Sequence, residues 1–584
     1  MSYPNSDIQY GTQQVGKGNT RYAVLVCALL GAGLNVGPSL AQDGDRGGQR
    51  SQGPIVSTVE GPVQGYTRNG VDVFLGIPYA APPTGDLRWQ PPQPVKSWRD
   101  TRDSTHYASS CPQVTTLGVF AGPTSVNEDC LYLNVFTKGN APPGHKKPVI
   151  VWFHGGGNID GESNDYDGTK LAMGGPGGVE SVVVTLNYRL GVLGIFSHPA
   201  INSEGHQWGN YSTLDQQAAL RWVQHNIQCF GGDPSKVAIG GQSAGAINVG
   251  VNLISPLSKG LFSRAILQSS PGGIAWVPTA ETILSLGVNF AKAAGCPGSD
   301  AATARCLRNL SVARIMQLQG TSKASGPYTT VAPFADGTIV PLQPEEAWTT
   351  GNFNKVPIMG GATKDEVTFF TGVNEYFSDP PLVPMTSAQY ESMTEPGAFC
   401  IFCNADRKMP VATMERYPLS DYGGDPMIAY ARIGTDGAKC RELHVLQRLA
   451  PQVPTYAYDF TYRNAPYYFP KMPGYKPMAA HTIDIQFLLD NWHGGHLGVN
   501  VDQETGMPRE LNVDEMKLSD QLVAAWTNFA NAGNPNGAGD SPWPKFSTDD
   551  TARYFVQDVP TGTKLVSQFR TDYKCDFFDP QLKY

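Results

Sequence analysis

Basic charge is scarce in this chain. Its 584 residues carry 43 Lys and Arg against 51 Asp and Glu, for a net charge of −8. Phosphate binding needs a basic footprint, and no Lys/Arg cluster supplies one, which argues against a nucleic-acid partner. Charged residues of either sign make up only 16% of the chain. Long apolar runs are also lacking. The one candidate, Tyr22 to Val36, is too short to span a bilayer well. It follows Lys17 and Arg21 and precedes Ser39 and Ala41, the pattern of a cleaved export signal. No stable membrane span is expected. Internal repeats and long low-complexity tracts are missing too.

What is present suits a large globular core: 40% hydrophobic residues, with 65 Gly and 46 Pro marking many loops. Residues 1–41 read as a signal, 42–53 as a flexible lead-in and 54–584 as a single domain. There are 10 Cys, and Cys27 lies in the signal. Cysteine use at this level fits an oxidising, secreted setting, extracellular or periplasmic. The odd number left after cleavage implies one thiol without a partner in the chain. Short apolar strands alternate with amphipathic helices. Pro148 to Phe153, Ser181 to Leu186 and Val237 to Gly241 are strand candidates; Leu214 to Cys229 and Leu518 to Ala532 are helix candidates. The alternation predicts an α/β fold with a large, mostly parallel central sheet and helices on both faces. Pro380 to Lys439 shows no clear pattern.

Gly241-Gln242-Ser243-Ala244-Gly245 matches G-x-S-x-G, with a strand before it and small residues leading into a helix. That context is what a nucleophile elbow requires. The turn strains the serine, and the close crossing of strand and helix explains Gly241 and Gly245. A serine nucleophile needs donors for the developing oxyanion. His154-Gly155-Gly156-Gly157 follows the first strand candidate, so Gly155, Gly156 and Ala244 are assigned to the oxyanion hole. His154 reads as a loop-shaping residue. The serine also needs a base and an orienting acid, in the order Ser, Asp/Glu, His. His444, His481, His493 and His496 all lie downstream, and spacing does not choose among them. His493 and His496 resemble a metal pair but lack further ligands nearby.

Several segments occur together in order: Phe74-Leu-Gly-Ile-Pro-Tyr-Ala80, Glu128-Asp-Cys-Leu-Tyr-Leu-Asn134, His154-Gly-Gly-Gly157, Asn187-Tyr-Arg-Leu-Gly191, Phe230-Gly-Gly-Asp-Pro234, Gly241-Gln-Ser-Ala-Gly245 and Pro333-Phe-Ala-Asp-Gly337. In these the chain resembles the type-B carboxylesterase/lipase family of α/β-hydrolases, which includes the cholinesterases. The resemblance runs from about Gly61 to the C-terminus. It implies that Glu366 of Lys364-Asp365-Glu366 is the acid and His481 the base, completing a triad with Ser243. It implies Ser269 and Gln242 as supporting residues. It further implies disulfides Cys111–Cys130, Cys296–Cys306 and Cys440–Cys575, and buried ion pairs Arg88–Glu128 and Arg189–Asp215. Cys229, Cys400 and Cys403 remain. Cys400-Ile-Phe-Cys403 departs from the family pattern, and a local disulfide, a weak metal site and two thiols are all open.

The resemblance implies a serine ester hydrolase acting through an acyl-enzyme on small to medium, uncharged carboxylic esters, a small-molecule substrate. No metal or organic cofactor is required. Many relatives carry Glu where this chain has Gln242, and an ungapped count puts Phe120 where a choline-binding tryptophan would lie. A choline ester is therefore not the expected substrate. Pro327 and Thr329 fall where bulkier aromatics restrict the acyl group in cholinesterase-like relatives, which implies more room here. The rival readings are a lipase acting on acylglycerols, an amidase, and a catalytically silent adhesion-type relative. Nothing in the sequence sets an oligomeric state.

Overall fold

A computed structural model describes residues 50–582, apart from 115–122, 140–145, 271–274, 320–330, 379–380, 401, 405, 491, 496–497 and 538–541. The strands begin with β1 (Ser51–Ser57), β2 (Pro62–Arg68), β3 (Val71–Pro78), the short β4 (Arg102–Asp103) and β5 (Tyr132–Lys138). The middle of the chain holds β6 (Lys147–Phe153), β7 (Val182–Leu186), the small pair β8 (Ile195–Phe196) and β9 (Gly209–Asn210), and β10 (Gly232–Gln242). Then come β11 (Arg264–Gln268), β12 (Ile358–Thr363), β13 (Thr455–Phe460), β14 (Arg553–Gln557) and β15 (Gly562–Leu565). The main sheet is ordered β1-β2-β3-β5-β7-β6-β10-β11-β12-β13-β14-β15, with β4 beside β2. Neighbours from β7 to β14 are parallel. The edges are antiparallel, from β1 to β7 on one side and at the β14–β15 hairpin on the other.

The pleat sends alternate side chains to opposite faces. Along β6, Val149, Val151 and Phe153 enter one apolar core while Ile150 and Trp152 enter another. On β10, Val237 and Ile239 oppose Ala238 in the same way. The helices Tyr211–Asn226 and Ala244–Ile254 close the first core with Leu220, Val223, Val249 and Leu253. The helix Val513–Ala532 closes the second with Leu522, Trp526 and Phe529. Burial on both faces is why these strands read as unbroken apolar runs rather than alternating ones.

Helix boundaries depart from the periodic pattern where capping decides them. The helix expected from Leu518 starts at Val513, because Asn512 and Glu515 form a capping box. It ends where expected, with Gly533 left-handed at φ 69°. The helix expected over Leu214 to Cys229 starts at Tyr211, and its last turn, Ile227–Phe230, tightens to 3-10 geometry. The lead-in boundary needs correcting. Ser51 and Gln52 lie in β1 opposite Thr67 and Tyr66 of β2, where their backbone groups find partners. The patternless stretch after Pro380 contains the helices Ser387–Met393 and Pro426–Leu449. Among the described residues no helix is long and apolar enough to cross a membrane.

Candidate active site

The carboxyl ends of adjacent parallel strands build the site, the crevice where open α/β sheets place ligands. β6 runs into His154–Gly157, β10 into Ser243, β11 into Ser269, and β12 into Glu366. His481 arrives from the long connection after β13.

Ser243 sits at φ 58° and ψ −124° between β10 and the helix that starts at Ala244. L-residues rarely adopt this conformation, and here it is held by the Ser243 N–H donating to the Gln268 carbonyl at 2.9 Å. A Cβ on Gly245 would overlap the Phe153 carbonyl oxygen, and one on Gly241 would lie 2.6 Å from the Gly245 carbonyl carbon. Glycine is therefore needed at both places, as the motif implied.

Glu366 is buried and accepts hydrogen bonds on both oxygens. Oε1 takes the Ser269 hydroxyl at 2.6 Å, the Thr363 N–H at 2.7 Å and the Thr363 hydroxyl at 2.9 Å. Oε2 takes His481 Nδ1 in a short contact. Burial works to raise the pKa of Glu366, but the neighbouring His481 and these donors outweigh it and hold the carboxyl below its ordinary value. Asp365 points elsewhere, into a two-pronged pair with Arg463 at 2.7 and 2.8 Å. Thr363 carried no signal in the sequence, since any residue there offers an N–H.

His481 Nε2 lies 3.1 Å from Gln242 Nε2. Among the described residues no hydrogen bond joins it to Ser243 Oγ. The rings of Phe369 and Phe370 stand 5.6 and 5.5 Å from the imidazole.

The glycine loop lies against the elbow. A Cβ on Gly155 would sit 3.3 Å from Ser243 Cβ and 3.1 Å from the Gln242 carbonyl oxygen. The Gly155 N–H, however, is turned to the Tyr166 hydroxyl oxygen at 3.4 Å. Gly156 and Gly157 follow at φ 98° and 63°, and their N–H groups meet no acceptor among the described residues. His154 is buried, and burial lowers its basicity to a value of about 4. Its ring stacks on Tyr188 at 4.4 Å, consistent with a loop-shaping residue. His493 Nδ1 is engaged by the Gly495 carbonyl at 2.8 Å. Phe120, Pro327, Thr329 and His496 lie outside the described residues, as do residues 1–49.

Residues 52–578 match the model of the Carboxylesterase family. The chain belongs to this family. It is 32% identical to acylcarnitine hydrolase of Mus musculus, with 87% of this chain and 88% of that protein aligned. It is 33% identical to carboxylesterase 1E of Rattus norvegicus, over 86% of this chain and 90% of that one. Among solved structures it is similar to a PNB esterase, with a TM-score of 0.68, 28% identity, and 89% of this chain and 99% of that chain covered. The protein is thus a carboxylic-ester hydrolase of the α/β-hydrolase fold.

The carboxylesterase chain carries the disulfides Cys111–Cys130, Cys296–Cys306 and Cys440–Cys575. Cys400 and Cys403 form a further one. Cys229 is also disulfide-bonded, so no described cysteine is free. Arg88 meets Glu128 at 2.6 Å and Arg189 meets Asp215 at 2.7 Å, the latter pair almost wholly buried.

Proposed function

We propose that this carboxylesterase hydrolyses small to medium, uncharged carboxylic esters through an acyl-enzyme on Ser243, with His481 as base and Glu366 as orienting acid. The observation that carries the reading is one continuous array. Ser269 and Thr363 hold Glu366, Glu366 holds His481 Nδ1, and the imidazole rests against Gln242, the residue before the strained Ser243. With Nδ1–H bonded to the carboxylate, Nε2 carries the lone pair that accepts the Ser243 proton. His481 then protonates the leaving alcohol, and water repeats the attack on the acyl group. Glu366 stays ionised and stabilises the imidazolium formed in each half-reaction.

The oxyanion donors are reassigned by one residue. With the Gly155 N–H directed to Tyr166, the N–H groups of Gly156, Gly157 and Ala244 are left to receive the tetrahedral oxygen. A neutral Gln242 next to His481 offers no negative charge to a cationic alcohol, which supports uncharged substrates. Export of the mature chain is part of the proposal. The signal-like N-terminus and the disulfides of the folded domain support it. The lipase and silent-relative readings are not favoured, since the similar proteins are named as carboxylesterases and esterases.

Ser243→Ala should abolish ester turnover, and a fluorophosphonate should label Ser243 alone. A fully active Ser243→Ala protein would overturn the mechanism.

A further inference from the structure

The glycine loop is pinned at both ends. At its entry the Tyr188 hydroxyl donates to the His154 carbonyl at 2.6 Å. At its exit the Gly191 N–H donates to the Asn158 carbonyl at 2.7 Å. Both donors belong to the segment that follows β7. Between these pins the Gly156 carbonyl takes the N–H groups of Ile159 and Asp160, each at 3.1 Å, so the turn at Gly156 and Gly157 moves as one piece with Asn158.

A further pin comes from the helix of the nucleophile. Asn158 is buried and left-handed at φ 59°, a conformation asparagine tolerates. Its Oδ1 accepts from Asn248 Nδ2 at 2.9 Å. Asn248 stands in the second turn of the helix Ala244–Ile254 that Ser243 starts, and it is wholly buried. Its Oδ1 has no hydrogen-bond partner among the described residues. A buried amide with an unmet acceptor serves the fold less well than an apolar side chain of the same shape, so stability alone does not account for Asn248. Both asparagines stand just outside the segments, ending at Gly157 and Gly245, in which the chain resembles its family.

We propose that Asn248 and Asn158 are positioning residues for ester cleavage: their hydrogen bond ties the glycine loop to the serine helix and sets the distance from Ser243 to the N–H donors of Gly156 and Gly157. The inference rests on the reading of those glycines as donors to an oxyanion formed on Ser243 attack. That oxygen gains its charge only as the tetrahedral adduct forms. A slack loop therefore weakens the transition state and spares the bound ester. One turn further on, Asn252 is equally buried. Its side chain donates to Gln216 and to the Asn248 carbonyl, each at 2.9 Å, and among the described residues it makes no hydrogen bond to the glycine loop. It is the control for losing a buried amide from this helix.

The test compares Asn248→Leu, Asn158→Gly, the two combined, and Asn252→Leu. Active sites are first counted by complete fluorophosphonate labelling, so that misfolded protein drops out. The readouts are kcat and KM for p-nitrophenyl butyrate and Ki for an alkyl trifluoromethyl ketone. Ser243 Oγ adds to the ketone carbonyl, His481 keeps the serine proton, and the ketone oxygen becomes the oxyanion. Asn248→Leu and Asn158→Gly should each lower kcat by about ten- to a hundredfold with KM little changed, and raise Ki by a matching factor. The combination should be no worse than the poorer single variant, since both remove one bond. Asn252→Leu should melt lower yet keep the parent Ki. Parent-like kcat and Ki in the single variants would overturn the proposal. So would losses that multiply in the combination, a fall in kcat without weaker ketone binding, or an equal loss in Asn252→Leu. If Asn248→Leu fails to fold, Asn158→Gly decides. A parent that does not bind the ketone, or a Ser243→Ala protein that still cleaves the ester, would instead strike the underlying reading of the site.

Discussion

Gln242 and His481 meet at 3.1 Å, amide nitrogen to imidazole Nε2. Because Nδ1 of the ring faces Glu366, the Nε2 of the neutral imidazole is the acceptor, and the Gln242 amide nitrogen, within 3.4 Å of both ring nitrogens, lies against the ring and leaves that lone pair open to the serine proton. A neutral amide brings no charge to favour the protonated ring. A carboxylate there would stabilise the imidazolium. Gln242→Glu should therefore move the acid limb of the kcat/KM–pH profile upward by about one unit. Activity would fall most at pH 6 and least at pH 8. An unmoved limb would mean that residue 242 does not act on the working nitrogen.

Ser269 tests the other end of the array. Its hydroxyl donates to Glu366 Oε1 at 2.6 Å, and hydrogen bonds to charged acceptors contribute about 1.5–3 kcal/mol. Ser269→Ala should lower kcat by roughly tenfold with little change in KM, since His481 is used after binding. A second readout follows from linkage. Glu366 is held below its ordinary value, so its stabilisation is present above the unfolded-state value and is lost as pH falls through the folded one. Removing Ser269 weakens that depression, so acid unfolding of the variant should begin at a higher pH than in the parent. Parent-like kcat together with a parent-like acid transition would remove Ser269 from the array.

The elbow and the central strands were legible because their signals are local. Gly241 to Gly245 states its own geometry, and β6 and β7 are β-branched runs. The histidine was not legible from residues alone. His481 meets Glu366 across 115 residues of chain, and no spacing rule spans a connection of that length; resemblance made the choice. The glycine loop shows a second limit. Composition marks a place where N–H groups turn, but which ones turn toward the serine depends on the torsions of Gly156 and Gly157. The helix Pro426–Leu449 stayed hidden for a different reason. It buries Asp436, Lys439, Arg441 and Glu442 among its apolar residues, so polarity does not trace its inner face. Likewise, the spacing of Cys400 and Cys403 fits a disulfide, a metal site or two thiols equally well, and only their placement in the fold distinguishes these.

Glu442 on that helix gives a prediction about stability. It is buried, and neither carboxylate oxygen has a hydrogen-bond partner among the described residues. Burial pushes its pKa up to about 8, with Lys439 at 3.9 Å opposing the shift and Asp459 and Glu366 adding to it. An acid raised in the folded state binds more protons there than in the unfolded chain, so stability falls as pH climbs from the ordinary carboxylate range toward the folded value. Glu442→Gln removes that slope. Its melting temperature relative to the parent should be higher at pH 8 than at pH 5. The opposite order, or no dependence on pH, would show that Glu442 is ionised in the fold at neutral pH.

Gly245 and Gly240 offer a matched pair for the elbow. A Cβ on Gly245 would overlap the Phe153 carbonyl oxygen and lie 2.7 Å from that of His154. These atoms belong to the backbone that launches the glycine loop, so they cannot yield by rotating a side chain. Gly245→Ala must push the serine elbow away from the glycine loop. Overpacking of this kind costs about 1–3 kcal/mol of stability, and a misplaced reacting atom costs on the order of a hundredfold in rate. Gly240→Ala is the control, because its Cβ would meet Ile266 and Trp152 side chains at 3.5 Å, an ordinary packing distance. It should melt close to the parent and keep most of the parent kcat/KM. Fluorophosphonate labelling should be slowed strongly in Gly245→Ala and little in Gly240→Ala. Equal rates in the two variants would mean that the crossing of β6 and the serine helix does not set the distance between nucleophile and oxyanion donors.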